Sequence, residues 1–243
     1  MKIIKLDAID STNDHLKALS KKVILDDATI VTAKNQTKGK GQRQAFWHIE
    51  VGKSLAFSVF KKFKGWPAVR AFEINCAVAL GLLNGLERLG VENICVKWPN
   101  DILSDRKKLC GILIENQLKS DVVVSSIIGI GLNVNNETFP ELPQASSLYL
   151  TQGRKFDLDE VLMVLTKTVL SEIEKLEVRK PESLYSAYES RLFRLHQVAA
   201  FENANGEIFN GILRGVSPEG ELLLEQEDEG VHSYGIKEIK FIY

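Results

Sequence analysis

The chain has 243 residues, enough for one sizeable hydrophobic core and a small additional domain. Its 31 Lys and Arg residues balance 32 Asp and Glu residues, which argues against a net basic surface for nucleic acid or an anionic membrane. No signal peptide and no stretch of about 20 apolar residues stands out, so the sequence predicts a cytoplasmic globular protein.

The cysteines and histidines follow no pattern of a disulfide framework or a metal site. Cys76, Cys95 and Cys110 are odd in number, far apart and set among apolar neighbours, which favours buried thiols. The four histidines lack the spacing of metal ligands. We therefore expect no transition metal bound by protein side chains.

The first part of the chain is predicted to contain one short helix and two strands. Ser11 or Thr12 can cap a helix over residues 13–21, because a hydroxyl oxygen accepts a hydrogen bond from a backbone N–H at a helix start. Residues 29–33 and 54–60 are rich in β-branched and apolar side chains. This composition is typical of strands.

The central part carries the strongest periodic signal, a helix that begins near Pro67 and ends before Gly90. Apolar strands are predicted at residues 94–98, 109–114 and 122–134, with a polar turn between the first two. A mixed or antiparallel sheet with helices packed on one face follows from this order of elements, an α+β fold.

The last part is predicted to hold two helices and a small β-structure. Asp157 and Glu160 form a carboxylate version of the capping box before a long amphipathic helix, and a shorter helix begins at Pro181. Residues 196–243 are short β-rich runs separated by turn residues, which predicts a small barrel. We therefore divide the chain into a main domain, residues 1–190, and a C-terminal domain of about 48 residues that needs support from it.

Five segments carry residues suited to a site for a phosphate-activated carboxylate. They are Ser11-Thr-Asn13, Gln36-Thr-Lys-Gly-Lys-Gly41 followed by Trp47, Lys97-Trp-Pro-Asn-Asp-Ile102, Lys107-Lys-Leu-Cys-Gly-Ile112 and Ile128-Gly-Ile-Gly-Leu-Asn133. In this order they resemble the biotin protein ligase family, from about residue 5 to residue 150 and more weakly to the C-terminus. The resemblance implies a class II synthetase-like biotin/lipoate ligase fold, with an SH3-like β-barrel as the C-terminal domain.

The resemblance implies that most of these segments contact biotin. The ureido ring of biotin has two N–H donors and one carbonyl acceptor, so it requires matched polar partners in a dry site. The residues assigned to biotin are Ser11, Thr12, Asn13, Gln36, Gly39, Lys40, Gly41, Gln42, Lys108, Gly111 and Gly129. Taken alone, Ser11-Thr-Asn13 would more simply cap a helix, and Gly39-Lys-Gly41 would more simply form a solvated turn.

The resemblance also implies a nucleotide site and a catalytic lysine. The residues assigned to ATP or the adenylate are Lys40, Arg43, Trp47, Lys97, Asn100, Asp101 and Asn133. Lys108 is the predicted catalytic residue, because its charge would neutralise the carboxylate and the α-phosphate, whereas Lys107 is expected to be a solvated turn residue. Asp101 is expected to hold the Mg²⁺ that accompanies ATP, directly or through water. As bare residues, Asn100 and Asp101 would form a turn and Trp47 would be a core aromatic.

The glycine-containing loop departs from the family pattern Gly-Arg-Gly-Arg-x-Gly-Arg-x-Trp. This chain reads Gly39-Lys-Gly-Gln-Arg-Gln-Ala-Phe-Trp47, so the spacing to the tryptophan is kept. Gln42 and Ala45 stand where the family has arginines, and Gln44 stands where it has glycine. We expect Lys40 and Arg43 to take over the anion contacts of the missing arginines, with Gln42 as a neutral partner.

The reaction implied by the resemblance has two steps. The biotin carboxylate attacks the α-phosphorus of MgATP to give biotinyl-5′-AMP, and a lysine of a biotin carboxyl carrier protein then takes the biotinyl group. The carrier is expected to belong to a biotin-dependent carboxylase such as acetyl-CoA carboxylase. No helical extension of about 60 residues precedes Ser11, so the chain resembles the ligase-only group. We expect no specific DNA or membrane partner, and a homodimer is compatible with the sequence.

Two alternatives stay open at this point. A lipoate protein ligase shares the fold, although its Arg-Arg-x-Ser-Gly-Gly-Gly run is absent here and its pocket is apolar. A non-catalytic module that senses biotin or a nucleotide is the other alternative, and the retention of Lys108 and Asp101 argues against it.

Overall fold

The computed structural model of the protein describes residues 1–42, 45–227 and 230–242, and the described residues form two β-sheets and five α-helices. The strands of the larger sheet are β1 (Lys2–Ile9), β2 (Thr29–Gln36), β3 (Ser54–Pro67), β4 (Ile94–Lys97), β5 (Asp101–Ser104), β6 (Lys107–Lys119) and β7 (Val122–Asn133). Their order is β1-β2-β3-β7-β6-β5-β4. Only β1 and β2 run parallel, so the sheet is mixed, as predicted.

Two strands were not expected from the sequence. β1 carries charged residues at Lys2, Lys5 and Asp7 and lies at the edge of the sheet, so no long apolar run marks it. β5 has only four residues and follows the Pro99-Asn100 turn. The predicted polar turn is present, with positive φ at Asp105 and Arg106, but it joins β5 to β6 rather than β4 to β6.

The helices are α1 (Thr12–Lys22), α2 (Ala71–Arg88), α3 (Leu148–Gln152), α4 (Leu158–Glu174) and α5 (Pro181–Glu189). Ser11 Oγ accepts a hydrogen bond from Asp14 N, and Asp157 Oδ1 accepts one from Glu160 N, so both predicted caps are confirmed. α2 begins four residues after Pro67, because a 3-10 turn over Ala68–Arg70 intervenes.

The prediction that helices cover one face of the sheet is wrong for α1. Three strands each carry two consecutive buried residues, and consecutive strand residues point to opposite faces. These pairs are Ile30 and Val31, Val59 and Phe60, and Ile127 and Ile128. One member of each pair packs in the large core with α2 and α4, whereas the other packs against Leu16 of α1. Since both faces of these strands are apolar, both require a cover.

The segment Ala68–Arg88 has the length and the mean hydropathy, 1.3, of a membrane-spanning helix, contrary to our expectation that no stretch would qualify. Within the protein, 67% of its most apolar window is buried. α2 packs so closely on α4 that a Cβ at Gly81 would lie 2.6 Å from Val169 Cα. Most apolar side chains of this segment are therefore buried in the core, whereas Val69 near its start is exposed.

The second sheet contains β8 (Val198–Asn203), β9 (Ile208–Val216), β10 (Leu222–Gln226), β11 (Gly230–Tyr234) and β12 (Ile239–Ile242), in the antiparallel order β11-β10-β9-β8-β12. A closed barrel would need a ladder between the two edge strands. The described residues of β11 and β12 form none, so the sheet is open and a closed SH3-like barrel is not confirmed.

The core of the second sheet is continuous with that of the first. Phe201, Leu213 and Ile239 belong to the same buried cluster as the apolar residues under α2. Trp98 Nε1 donates a hydrogen bond to Gly220 O at 3.0 Å, which ties the end of β4 to the β9–β10 turn. The C-terminal sheet thus packs on the larger sheet, although the division into two domains stays a prediction.

Candidate functional site

A row of small residues crosses the face of the larger sheet that carries α1. Directly paired positions in adjacent strands place Ala33, Ala56, Gly131 and Gly111 side by side. The row continues through Asp101 of β5 and ends at Lys97 of β4. Because four consecutive positions carry at most a methyl group, the sheet surface here is open enough to form the floor of a cavity.

The cavity over this floor has a volume of about 270 Å³ and is lined mainly by segments that the sequence analysis selected. The selected residues in its lining are Ser11, Thr12, Asn13, Gln36, Lys40, Gly41, Gln42, Trp47, Lys97, Asn100, Asp101, Lys108, Gly111 and Gly129. The volume is close to the lower end of ligand pockets, roughly 300–1,000 Å³. Segments that are far apart in the chain therefore meet at one small-molecule site.

Trp47 lies on the glycine floor. A Cβ at Gly131 would be 2.3 Å from Trp47 Cε2, and a Cβ at Gly111 would be 3.1 Å from its Cζ3, so only glycines leave room for the indole. The Trp47 indole N–H is buried and has no hydrogen-bond partner among the described residues. Lys108 Nζ is 5.5 Å from the ring centroid, close enough for a cation–π contact. Trp47 is therefore a wall of the cavity rather than a core aromatic.

A hydrogen-bonded polar wall stands at one end of the floor. Gln36 Oε1 accepts hydrogen bonds from Thr12 N at 2.8 Å and from Thr12 Oγ1 at 3.0 Å. Ser58 Oγ lies 2.7 Å from Thr12 Oγ1 and donates to Asn13 Oδ1 at 2.6 Å. All four side chains are buried, and Gly129 leaves room for Asn13, since a Cβ there would be 2.3 Å from Asn13 Oδ1.

An ion pair stands at the other end. Lys108 Nζ is 2.7 Å from Asp101 Oδ1, and the Asp101 side chain is 15% exposed. This oxygen has the distance of an ion pair but no aligned hydrogen bond. Lys107 is exposed and lies outside the cavity lining, as expected for the neighbouring turn residue. A β-bulge at Leu109 sets this alternation, because Lys108 pairs with Leu103 while Cys110 pairs with Ile102.

Two further lysines, Lys97 and Lys240, lie near the Lys108–Asp101 ion pair. Burial lowers the pKa of the Lys97 ammonium, the Asp101 carboxylate raises it, and the positive charges of Lys108 and Lys240 lower it further. Lys240 comes from β12 of the second sheet, where it also pairs with Glu202 at 3.1 Å. This end of the cavity therefore concentrates positive charge, which favours an anionic ligand.

Some predicted residues lie outside the lining or have local roles. Asn133 is buried and donates to Ser146 O at 3.0 Å, which ties β7 to the following loop, and it does not line the cavity. Gly39 is also outside the lining. Its lack of a side chain is required by the backbone of Trp47, because a Cβ at Gly39 would lie 2.2 Å from Trp47 O. Asn100 lines the cavity while its amide donates to Ile112 O at 2.7 Å.

The loop residues give a mixed result. Lys40 pairs with Asp14 at 2.7 Å, so its ammonium is held at the start of α1. Gly41 N donates to Ala45 O, and Trp47 N donates to Gly39 O, which closes the loop on itself. Arg43, which we assigned to the anion contacts, lies outside the described residues.

Sequence reasoning missed several residues of the site. Ala56 belongs to the floor beside Gly131, which the motif had already selected, and Ser58 joins the polar wall from behind. The C-terminal segment contributes four lining residues, Ile236, Ile239, Lys240 and Phe241. The alternation of small residues in β3 was a signal for Ala56 and Ser58. No local motif marks the residues of the second sheet, because only the packing of the two sheets brings them to the cavity.

Comparison with known proteins identifies the family. The sequence model of the biotin/lipoate A/B protein ligase family matches residues 6–133, more than half of the chain. A bifunctional ligase/repressor, BirA, of Bacillus spizizenii is 30% identical over 241 residues, 98% of this chain and 71% of that protein. The chain belongs to the biotin/lipoate A/B protein ligase family.

Relatives of similar length support this assignment. A biotin–acetyl-CoA-carboxylase ligase of Paracoccus denitrificans is 27% identical, and the match covers 88% of this chain and 90% of the relative. Among solved structures, the biotin protein ligase of Aquifex aeolicus in complex with biotin and ATP superposes with a TM-score of 0.81 at 27% identity. That match covers 99% of this chain and 98% of the other, so this ligase-family chain has the same fold throughout.

Proposed function

We propose that this chain is a biotin protein ligase. It activates biotin with ATP to biotinyl-5′-AMP and transfers the biotinyl group to a lysine of a biotin carboxyl carrier protein. The observation that carries the proposal is the single row of the sheet that joins a polar wall, a glycine floor and the Lys108–Asp101 ion pair. Relatives that are named as biotin ligases, with matches over nearly the whole chain, support it.

The two ends of the cavity suit the two ends of biotin. The ureido ring needs acceptors for its N–H groups and donors for its carbonyl. Thr12, Asn13 and Gln36 of the polar wall, together with the neighbouring Ser11, supply both kinds of group, and all four residues are buried and line the cavity. The valeryl chain is apolar and suits the glycine floor beside Trp47. The carboxylate would then reach the positively charged end, where Lys108 stands.

The first step is adenylation. A carboxylate oxygen of biotin attacks the α-phosphorus of ATP, a new P–O bond forms, and the bond to pyrophosphate breaks. Both reactants are anions, so bringing them together requires charge neutralisation and alignment more than a protein nucleophile. Lys108 supplies a positive charge between them, and Lys97, Lys240, Lys40 and Arg43 are assigned to the phosphates.

Mg²⁺ accompanies ATP and neutralises phosphate charge when it is bound. Asp101 fits as its protein ligand, because it is a carboxylate in the cavity with a buried oxygen that has no aligned hydrogen bond. One or two carboxylates together with phosphate oxygens are the usual environment of this ion. Asn100 and Trp47, which line the cavity, are assigned to the adenylate. Asn133 keeps the same assignment as a proposal, although its amide donates to Ser146 O in this structure.

The second step is acyl transfer. The neutral ε-amine of the carrier lysine attacks the acyl carbonyl of biotinyl-5′-AMP, an amide bond forms, the bond to AMP breaks, and the amine loses a proton. We assign residues 1–190 to the catalytic domain and residues 196–243 to a small SH3-like domain that contributes Lys240 to the nucleotide end. We place the reaction in the cytoplasm, since all three cysteines are free thiols.

Biotin-dependent exchange of pyrophosphate into ATP tests the proposal. The purified protein should catalyse exchange with biotin, and it should transfer biotin to a carrier domain of acetyl-CoA carboxylase. Exchange with lipoate and none with biotin would instead identify a lipoate ligase. Biotin binding without exchange would identify a non-catalytic sensor.

We predict that Lys240→Met raises the KM for ATP about fivefold, because an exposed charge contact contributes at most about 1 kcal/mol. The dissociation constant of biotin should stay unchanged, since the polar wall lies at the other end of the cavity. The pKa of Lys97 should rise when this like charge is removed. The alkaline limb of kcat/KM for ATP should therefore move to higher pH.

Lys237→Met is the matched control, because Lys237 is exposed on the same segment and lies outside the cavity lining. Steady-state kinetics over a pH series would measure both effects. Equal effects of the two substitutions on the KM for ATP would show that Lys240 acts only through overall charge.

A further inference from the structure

We propose that Glu115 determines the specificity of the polar wall by fixing the orientation of the Asn13 carboxamide. In this orientation the amide oxygen, and not the amide nitrogen, faces the ligand. Glu115 is a positioning residue, since it lies outside the cavity lining and acts through Asn13. This inference rests on the proposed function, because the ligand in question is the ureido ring of biotin.

The hydrogen-bond partners of Asn13 determine which side of its carboxamide is the oxygen Oδ1 and which is the nitrogen Nδ2. Asn13 Nδ2 is 3.0 Å from Glu115 Oε2 and 3.4 Å from Leu113 O. A carboxylate and a backbone carbonyl can only accept hydrogen bonds, so the nitrogen has to lie on this side. Asn13 Oδ1 then lies toward Ser58 Oγ, which donates to it at 2.6 Å, and it is the atom of Asn13 nearest to the Cβ position of Gly129, a residue of the cavity lining.

Glu115 is itself held in place from α1. Lys17 Nζ is 2.7 Å from Glu115 Oε1, so the two carboxylate oxygens serve two different donors, Lys17 and Asn13. Lys17 is one helical turn after Asn13, which brings both donors to the same face of α1. Glu115 follows Leu113 on the face of β6 that forms the cavity, since residues two apart in a strand share a face. The carboxylate therefore joins the helix to the strand behind the polar wall.

The orientation of Asn13 determines whether the polar wall offers hydrogen-bond donors or acceptors to the ligand. The hydroxyl protons of Thr12 and Ser58 are used in short contacts inside the wall. With Asn13 oriented by Glu115, this part of the wall presents oxygen atoms to the cavity. It accordingly suits an N–H donor of the ligand, and it disfavours an acceptor at the same position.

The test replaces Glu115 by glutamine, which keeps the shape but offers one acceptor oxygen for two donors. Lys17 carries a full charge and should take that oxygen, so the NH₂ group of the new side chain faces Asn13 and favours the flipped amide. We expect the dissociation constant of biotin, measured by calorimetry, to rise about tenfold, the effect of one lost hydrogen bond. The kcat at saturating biotin and the KM for ATP should not change.

Two ligand analogues make the test specific. In each, one ureido N–H of biotin is replaced by oxygen, and the two isomers differ in which N–H is lost. The unaltered protein should bind one of these isomers at least about 100-fold more weakly than biotin, since Asn13 Oδ1 then meets an acceptor. In Glu115→Gln, the ratio of the dissociation constant of this isomer to that of biotin should fall about tenfold. The pair Lys17→Met with Glu115→Gln should restore it, because the glutamine oxygen is then free to serve Asn13.

The outcomes separate this inference from the proposed function. If the unaltered protein binds no biotin, the proposed function fails. If it binds biotin, two results would overturn the orienting role of Glu115. One is that Glu115→Gln changes neither the affinity for biotin nor the ratio between the analogue and biotin. The other is that Glu115→Gln weakens the binding of biotin and of both analogues equally. Thermal unfolding checks that the variants are folded. We expect them to fold, because the Glu115 side chain is 30% exposed and is not part of the core. Glu115→Ala serves as a second variant with the same expected loss of ratio.

Discussion

Replacing Lys108 by alanine is expected to lower kcat/KM for biotin-dependent pyrophosphate exchange by about 10²–10³-fold, the usual effect of removing one group that stabilises transition-state charge. The loss should fall mainly on kcat, because the ammonium neutralises two anions that approach each other only during adenylation. The fold should persist, since the Lys108 side chain is 31% exposed and takes no part in the core. The measurement is the exchange of labelled pyrophosphate over a range of biotin and ATP concentrations that extends to saturation, which separates kcat from KM.

Lys107→Ala is the matched control. Both residues are lysines on β6, but Lys107 is exposed and outside the cavity, so its replacement should change the rate less than about twofold, as for other surface substitutions. A larger effect of Lys107→Ala than of Lys108→Ala would mean that the strand register near the bulge differs from the one described. Lys108→Arg keeps the charge but moves it, and it should recover only part of the activity.

The alternation between these two lysines illustrates what a sequence can and cannot predict. Of the two neighbouring lysines, the motif selected Lys108, and this is the one that lines the cavity. Its orientation depends on the bulge at Leu109, however, and a bulge is a property of the pairing between β5 and β6. β5 was not predicted, because its first residues were interpreted as part of a turn. The position of the bulge therefore could not be derived from the residues alone.

Long-range packing explains the other differences. The capping residues of α1 indicated a short helix but not which face of the sheet it covers, and that choice depends on strands such as β3 that are apolar on both sides. Lys240 reaches the cavity only because the second sheet shares its core with the first. The assignment of Asn133 to the adenylate stays a prediction, and its amide donates to Ser146 O, a partner that no local pattern indicates.

The glycine floor was recognised only in part. Gly111, Gly129 and Gly131 were assigned to the ligand from the motifs, whereas Ala56 was not. The pairing of Gly131 with Ala56 and Gly111 shows why small residues are needed together. Glycine in a strand normally weakens it, by loss of packing and by greater freedom in the unfolded chain. Keeping glycines at these paired positions is consistent with a surface shaped for contact with Trp47 and a ligand.

Gly131→Ala should therefore weaken biotin binding roughly 5- to 150-fold, corresponding to the 1–3 kcal/mol that overpacking costs. The new Cβ would lie 2.3 Å from the Trp47 indole, so the ring has to leave the floor and the wall beside the valeryl chain is lost. Calorimetric titration with biotin measures the effect. Gly211→Ala is the control, because the nearest atom to its Cβ is 3.5 Å away, an ordinary contact.

A double-mutant cycle identifies the cause. If the clash with the indole is responsible, Gly131→Ala should have less than about a threefold effect on biotin affinity when Trp47 is already alanine, since two residues in direct contact are not additive. The indole of Trp47 should also become more exposed in Gly131→Ala, which a red shift of its fluorescence would report with Trp66 and Trp98 replaced by phenylalanine. Full additivity of the two substitutions would mean that residue 131 acts on the ligand directly and that Trp47 is not the wall of the biotin channel.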